Sequence, residues 1–263
     1  MAVSEKIDLD ALPFALGAIG LGVVGIVTRD FALQWQPVPA GVPAHGFFSI
    51  LSGAILVAGG IATLSRNAGK GRLILPLFYA LWVVALHLPR FIAHPGVAAL
   101  LGLAEVLSLA TAGTLLARVG RDAIAIRVFG LCVIVFGISH FAYITVTARM
   151  VPTWISPGGI FWAYATGAAH LAAGLAIISD FFRRIAATMI AAMCGLFTLL
   201  VWAPPVFLAP HSRTAWTMLL LSMAIAGAAW VVSRAAQDDP RMMRFVSSFG
   251  RGPTAPIAGR KAS

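Results

Sequence analysis

The chain has 263 residues, 60% of them hydrophobic and 11% charged, with a mean hydropathy of +0.92. A soluble domain of this length cannot hide so much apolar surface from water, so most of the chain belongs in lipid. The formal charge of +10 would suit nucleic acid, but charges confined to short connections between apolar runs are what membrane topology produces; nucleic acid is excluded as a partner.

The first residues, MAVSEKIDLDALPF, set three carboxylates against one lysine, with no basic stretch and no small-residue cleavage site before the first apolar run. Residues 1–10 therefore read as a retained cytoplasmic N-terminus and not as a signal peptide. Eight apolar segments follow, near 11–28, 45–64, 72–92, 96–117, 128–147, 158–179, 184–203 and 214–233. Each is long enough to cross about 30 Å of hydrocarbon as a helix. Gly53, Gly59 and Gly60 on the second segment, and Gly167 and Gly174 on the sixth, permit close backbone approach where lipid offers no hydrophobic drive to association. Pro76 inside the third segment, and Pro89 and Pro204-Pro205 near the outer ends of the third and seventh, free carbonyls and are expected to bend or end their helices, opening a crevice toward the outer leaflet. Beyond Arg234, Gln237-Asp238-Asp239-Pro240 breaks the last helix and a basic tail, 234–263, continues as a disordered or surface-lying segment.

The segments repeat. Val38-Pro39 returns as Val151-Pro152, Ser52-Gly53-Ala54 as Thr166-Gly167-Ala168, and Pro89-x-Phe91-x-Ala93 as Pro205-x-Phe207-x-Ala209. Leu107-Ser108-x-Ala110-x-Ala112-Gly113 likewise returns as Leu221-Ser222-x-Ala224-x-Ala226-Gly227. The expected fold is an all-α integral membrane protein: eight transmembrane helices as two parallel four-helix repeats, 11–118 and 122–233.

Orientation follows from the basic residues. Lys6, Arg66, Lys70, Arg72, Arg118, Arg121, Arg127, Arg183, Arg184 and six from Arg234 onward fall on one side, against Arg29, Arg90, Arg149 and Arg213 on the other. That bias puts both termini in the cytoplasm of a bacterial inner membrane. Trp35, Trp154 and Trp216 fall near the opposite interface and read as belt anchors.

Chemistry has to be sought among the few polar groups the bilayer tolerates, since an ionisable side chain at mid-depth costs several kcal/mol unless it finds a partner or water. Glu105 is the one carboxylate inside an expected helix, and His170 lies at comparable depth. His87, Arg90 and His140 lie nearer the outer ends of theirs. Four of these five have a plain alternative: a structural hydrogen bond for Glu105, packing for His170, which falls opposite Leu56 in the first repeat, and snorkelling to headgroups for His87 and Arg90. Cys132 and Cys194 sit in apolar runs as structural thiols. The histidines lack the spacing for a metal pair within one helix, and no phosphate loop, dinucleotide fingerprint or His-Glu-x-x-His occurs.

At His140-Phe141, Val151-Pro152-x-Trp154, Gly167-Ala168, Leu86-His87-Leu88-Pro89-Arg90 and Arg213-x-x-Trp216 the chain resembles the DoxX-like family of small four-helix bacterial membrane proteins. The resemblance runs over both halves and implies a doubled family unit. Some relatives are named as membrane subunits of terminal quinol oxidase or thiosulfate:quinone oxidoreductase, so it brings quinone into view as a ligand. The family's elements are divided here: the second half keeps His140, Arg213 and Trp216 but has Val206 where the arginine would fall, while the first keeps Arg90 but has Thr28 near the histidine position. Either one composite site survives between the halves, or the sites have become scaffold.

Three readings remain. The first is a non-catalytic scaffold or accessory subunit packed in the lipid bilayer, with bound lipid, beside the subunits of a larger membrane complex. The second is a quinone-linked redox subunit in which His87, Arg90 and His140 line an outer crevice and Glu105 passes protons. The third is a small-molecule transporter, for which a single mid-membrane carboxylate is meagre equipment.

Overall fold

In a bilayer every backbone N–H and C=O must be satisfied within its own segment, so apolar runs of this length fold as helices. The computed structural model describes residues 7–237 and contains eight helices long and apolar enough to span a membrane. They are α1 (Leu9–Thr28), α2 (His45–Leu64), α3 (Gly69–Ala93), α4 (Val97–Leu116), α5 (Asp122–Ala142), α6 (Gly159–Ile178), α7 (Arg183–Leu208) and α8 (Arg213–Ala235). No strand occurs among the described residues, apart from one bridge between Ile7 and Ser65. Residues 1–6, most of the expected N-terminal segment, and 238–263, most of the basic tail, lie outside the described residues.

Large apolar side chains cover the outside, including Leu77, Leu131, Leu175 and Leu199, each more than half exposed. In water such a surface would aggregate; in lipid it is solvated. The core sits between α4 and α8, the two most buried helices. α1 packs on α2 and α8, and α5 on α6 and α4.

Glycine sets the closest of these contacts. A Cβ on Gly22 would stand 2.4 Å from the carbonyl oxygen of Gly53, and one on Gly53 2.5 Å from that of Gly22, so α1 and α2 touch backbone to backbone. α5 and α6 meet the same way at Gly137 and Gly167, where a Cβ on Gly137 would lie 2.9 Å from the Gly167 oxygen. One turn or two further along, Gly60 approaches the Ala15 carbonyl and Gly174 that of Gly130. Corresponding members of these contacts lie 114 or 115 residues apart.

The prolines act less uniformly than expected. Pro76 falls in the opening turn of the α-helical part Ile74–Trp82, which follows a 3-10 turn, Gly69–Leu73. Proline is tolerated there because the first amides of a helix have no internal acceptor. At Pro89 and Pro204-Pro205 the helices do change. α3 widens into a π turn over Val83–His87 and α7 into another over Thr198–Trp202. Leu88 N–H reaches back to Val83 O and Ala203 N–H to Thr198 O, five residues in each case. The amide that proline lacks leaves a carbonyl without its donor, and the wider turn accommodates that.

Two expected boundaries also move. α5 starts at Asp122, so Arg127 is helical, and its guanidinium reaches Asp180 Oδ2 at 2.9 Å. It stops at Ala142, and Ile144–Met150 forms a separate short helix. A hydropathy window does not register either event: charged Asp122 and Arg127 lower the average at the start, and the break at Tyr143 is one of backbone conformation within an apolar run.

Both described chain ends lie at the same end of the bundle. Asp10 accepts from Trp230 Nε1 at 3.2 Å and pairs with Arg234 at 3.3 Å. Beside it, Asp8 pairs with Arg72 at 2.5 Å, both side chains nearly buried, and with Arg66 at 3.5 Å.

Candidate functional site

Between α1 and α2 the chain does not simply cross the surface. Arg29 ends α1 in a left-handed conformation, the amide of Phe31 donates to Asp30 Oδ1 at 2.8 Å, and a 3-10 turn over Leu33–Trp35 turns the segment inward. Gln36 anchors it by donating from Nε2 to Ser52 Oγ on α2 at 2.6 Å, both residues buried. Trp35, expected as a belt anchor, is only 3% exposed. Trp154 and Trp216, at 74% and 37%, do reach the surface.

Buried tryptophan needs an acceptor for its N–H. Trp35 Nε1 donates to Glu105 Oε2 in the middle of α4, at 2.5 Å. Its backbone carbonyl accepts from Nε2 of His87, in the π turn of α3, at 2.8 Å. Trp35 thus joins two residues that the sequence singled out separately, and no periodicity could have revealed it.

Trp35 and Glu105 form part of the wall of a cavity of about 740 Å³, within the range of small-molecule sites. The other walls belong to α5, α6, α7 and α8 and to the segment after α5. His140 and His170 both line it, their ring centroids 4.8 Å apart. Phe197 packs on both, at 6.3 Å from each, and Phe136 meets His170 edge-on at 6.0 Å. Most of the remaining lining is aliphatic, aromatic or methionine.

The protons of the two imidazoles are assigned by their partners. His140 Nδ1 faces Phe136 O and His170 Nδ1 faces Thr166 O, each at 2.8 Å. A carbonyl only accepts, so Nδ1 carries the hydrogen and, in the neutral ring, Nε2 is left as an acceptor.

Of the five residues singled out from sequence, Glu105, His140 and His170 therefore meet at one cavity, and His87 supports its wall through Trp35. Arg90 does not line it and is exposed at the far end of α3. Phe197 lines the cavity with no signal in the sequence, and Trp35 and Ser222, read there only as a belt anchor and as part of a repeated motif, line it too. Among the described residues no group of three or more His, Cys, Asp or Glu is arranged to hold a metal ion.

Residues at the matching sequence spacing in the first half are packed into the core. Where the cavity wall has His170, Cys194 and Phe197, positions 114 or 115 residues earlier carry Leu56, Tyr79 and Trp82, all buried, and Gln36 closes on Ser52. In the second half the short helix Ile144–Met150 borders the open space.

Outside the cavity, Asp30 pairs with Arg213 at the start of α8, joining the first and last connections at the end of the bundle opposite the described termini. Partial burial pushes the Asp30 carboxyl up, but hydrogen bonds from Arg213 and the Phe31 amide, with the charges of Arg213 and His45, outweigh it and hold the group below its ordinary value.

Comparison with known proteins gives no match to a family model, a curated protein or a solved structure.

Proposed function

We propose that this multi-pass membrane protein is an accessory subunit that binds a quinone-class molecule in the cavity between α5, α6, α7 and α8. The observation that carries the reading is the meeting of Glu105, His140 and His170 on an otherwise apolar cavity inside a lipid-embedded bundle. A bare scaffold has no need of three ionisable side chains around an open space, each of which costs free energy to keep there. A ring carrying oxygens at one end of a lipophilic tail matches such a lining: polar atoms against the imidazoles and carboxyl, the tail among aliphatic side chains.

Oxidation of a quinol releases two electrons and two protons. The side chains here can take protons only, so on this reading the electrons pass to a redox centre of a partner subunit and this chain supplies the binding place. The DoxX-like resemblance and an origin by doubling of a four-helix unit belong to the same proposal. They are supported by the paired glycine contacts and the paired π turns at matching spacings. The excess of Lys and Arg at the end shared by the chain termini favours a cytoplasmic placement of that end in a bacterial inner membrane.

The test is equilibrium binding of a short-chain benzoquinone and its benzoquinol to the purified chain in lipid nanodiscs. Cys194→Tyr, which places in the second half the residue found at the matching first-half position, should abolish binding without unfolding the protein. Retention of full affinity in that variant, or no binding by the unaltered chain, would refute the reading.

A further inference from the structure

The inner wall of the cavity offers lone pairs and almost no protons. Ser139 Oγ donates to Phe136 O at 2.7 Å, and Thr166 Oγ1 to Trp162 O at 2.7 Å. Thr198 Oγ1 donates to Cys194 O at 2.8 Å, so its 2.9 Å contact with Ser222 Oγ must use the Ser222 hydrogen. His140 and His170 spend their Nδ1 hydrogens on Phe136 O and Thr166 O. A hydroxyl has one hydrogen and a neutral imidazole one N–H. All of these groups have therefore committed the proton they own to the protein, and the cavity-lining ones (Ser139, Thr166, Ser222 and the two imidazoles) can only accept from a ligand.

Trp162 Nε1 donates to Ser156 O at 3.0 Å, and the buried Cys194 thiol is only a weak donor; the remaining donors that line the cavity, Gln34, Tyr143, Thr147 and Trp202, are all partly or fully exposed and belong to connections, the short helix after α5 or the π turn of α7. On the inner wall Glu105 could serve either way, and one of its oxygens is already taken by Trp35.

Resting on the quinone reading above, we infer that His140 and His170 make the site selective for a ligand head that brings its own hydrogen-bond donors: the dihydroxy, reduced form and not the dione. A dione presented to this wall sets lone pairs against lone pairs and leaves buried acceptors on both sides without donors, whereas a quinol hydroxyl gives its hydrogen to an imidazole Nε2. The same logic extends to other phenolic heads of similar size.

The probes are a prenylated benzoquinol, its benzoquinone, and the quinol's dimethyl ether, which has the same ring but no O–H and cannot be oxidised to the dione without losing its methyl groups. Binding is measured to the full chain in nanodiscs under anaerobic conditions. The quinol should bind about tenfold or more tighter than either of the others. His140→Leu and His170→Leu, the second restoring the residue type found at Leu56, should each bring the quinol-to-quinone ratio toward one. Equal affinity for quinol, quinone and ether in the unaltered chain would overturn the selectivity while leaving the binding site standing, and needs no variant to fold. A ratio that survives both substitutions would overturn the role of the histidines. Absence of binding by all three probes would remove the quinone reading itself and the selectivity with it.

Discussion

Trp35 and Glu105 are 70 residues apart in sequence and share a hydrogen bond of 2.5 Å, indole N–H to carboxyl oxygen, at the wall between the two halves of the bundle. Trp35 arrives from a loop and Glu105 from mid-helix, so the bond ties the fold of a connection to the polar lining of the cavity. Trp35→Phe keeps the ring and removes the donor. The expected loss is about 1.5–3 kcal/mol, the range for a hydrogen bond to a charged or strongly polar group. Trp35→Phe combined with Glu105→Leu should lose less than the sum of the single changes, because the second removes the group the first left unsatisfied. Additive losses in detergent unfolding would show that the two side chains do not depend on one another.

The paired glycines yield a contrast within one experiment. Gly22→Ala and Gly53→Ala each place a methyl against backbone of the facing helix, which can yield only by separating the helices. A loss of about 1–3 kcal/mol is expected, as for overpacked cores. Gly195, on α7, has open space where its Cβ would stand, so Gly195→Ala should be neutral or stabilise by up to about 1 kcal/mol. Unfolding free energies that rank the three the other way would contradict the close approach of α1 and α2.

Asp8 and Arg72 form an ion pair with side-chain exposures of 10% and 7%, and Arg72 also donates to Thr63 O at 2.9 Å. Removing one partner of a buried pair leaves the other charge without compensation. Arg72→Met should therefore cost about 3 kcal/mol or more, and Asp8→Asn combined with Arg72→Met should recover part of it. Equal stability of single and double variants would mean that Arg66 alone suffices for Asp8.

Asp30 supplies a pH test. Its carboxyl is held below the ordinary value of 3.8, so the folded state favours its charged form. The stabilisation is present in full above that ordinary value and is lost as pH falls through the lower folded value. The side chain is 41% exposed, so solvent screening limits the contribution to at most about 1 kcal/mol. Asp30→Asn should lower the melting temperature slightly at neutral pH, with the difference from the unaltered chain vanishing only in strong acid. A difference that grows on acidification would have the wrong sign for an Asp30–Arg213 bond.

Much of the fold was legible in the chain itself. Segment 45–64 coincides with α2, and 96–117 and 158–179 match α4 and α6 to within a residue at each end, because a long apolar run bounded by loops leaves a helix no competitor in lipid. The candidate site was legible only in its ingredients. Glu105, His140 and His170 stood out for the cost of burying them; that they face one space while Arg90 faces elsewhere depends on helix rotation, which hydropathy in a nearly uniform apolar segment does not encode. Trp35 was misjudged for the same kind of reason. A tryptophan near a membrane interface suits a belt by composition, and only the inward turn held by Gln36 and Ser52 shows it serving as a donor inside.

Composition and spacing by themselves determined that this protein is a bundle of eight lipid-spanning helices, since the energy of exposing backbone and polar groups to hydrocarbon is paid locally, segment by segment. Tertiary structure alone decided that an open cavity forms beside His140 and His170 while Leu56, Tyr79 and Trp82 are packed into the core, because free volume is a property of side chains from several helices at once.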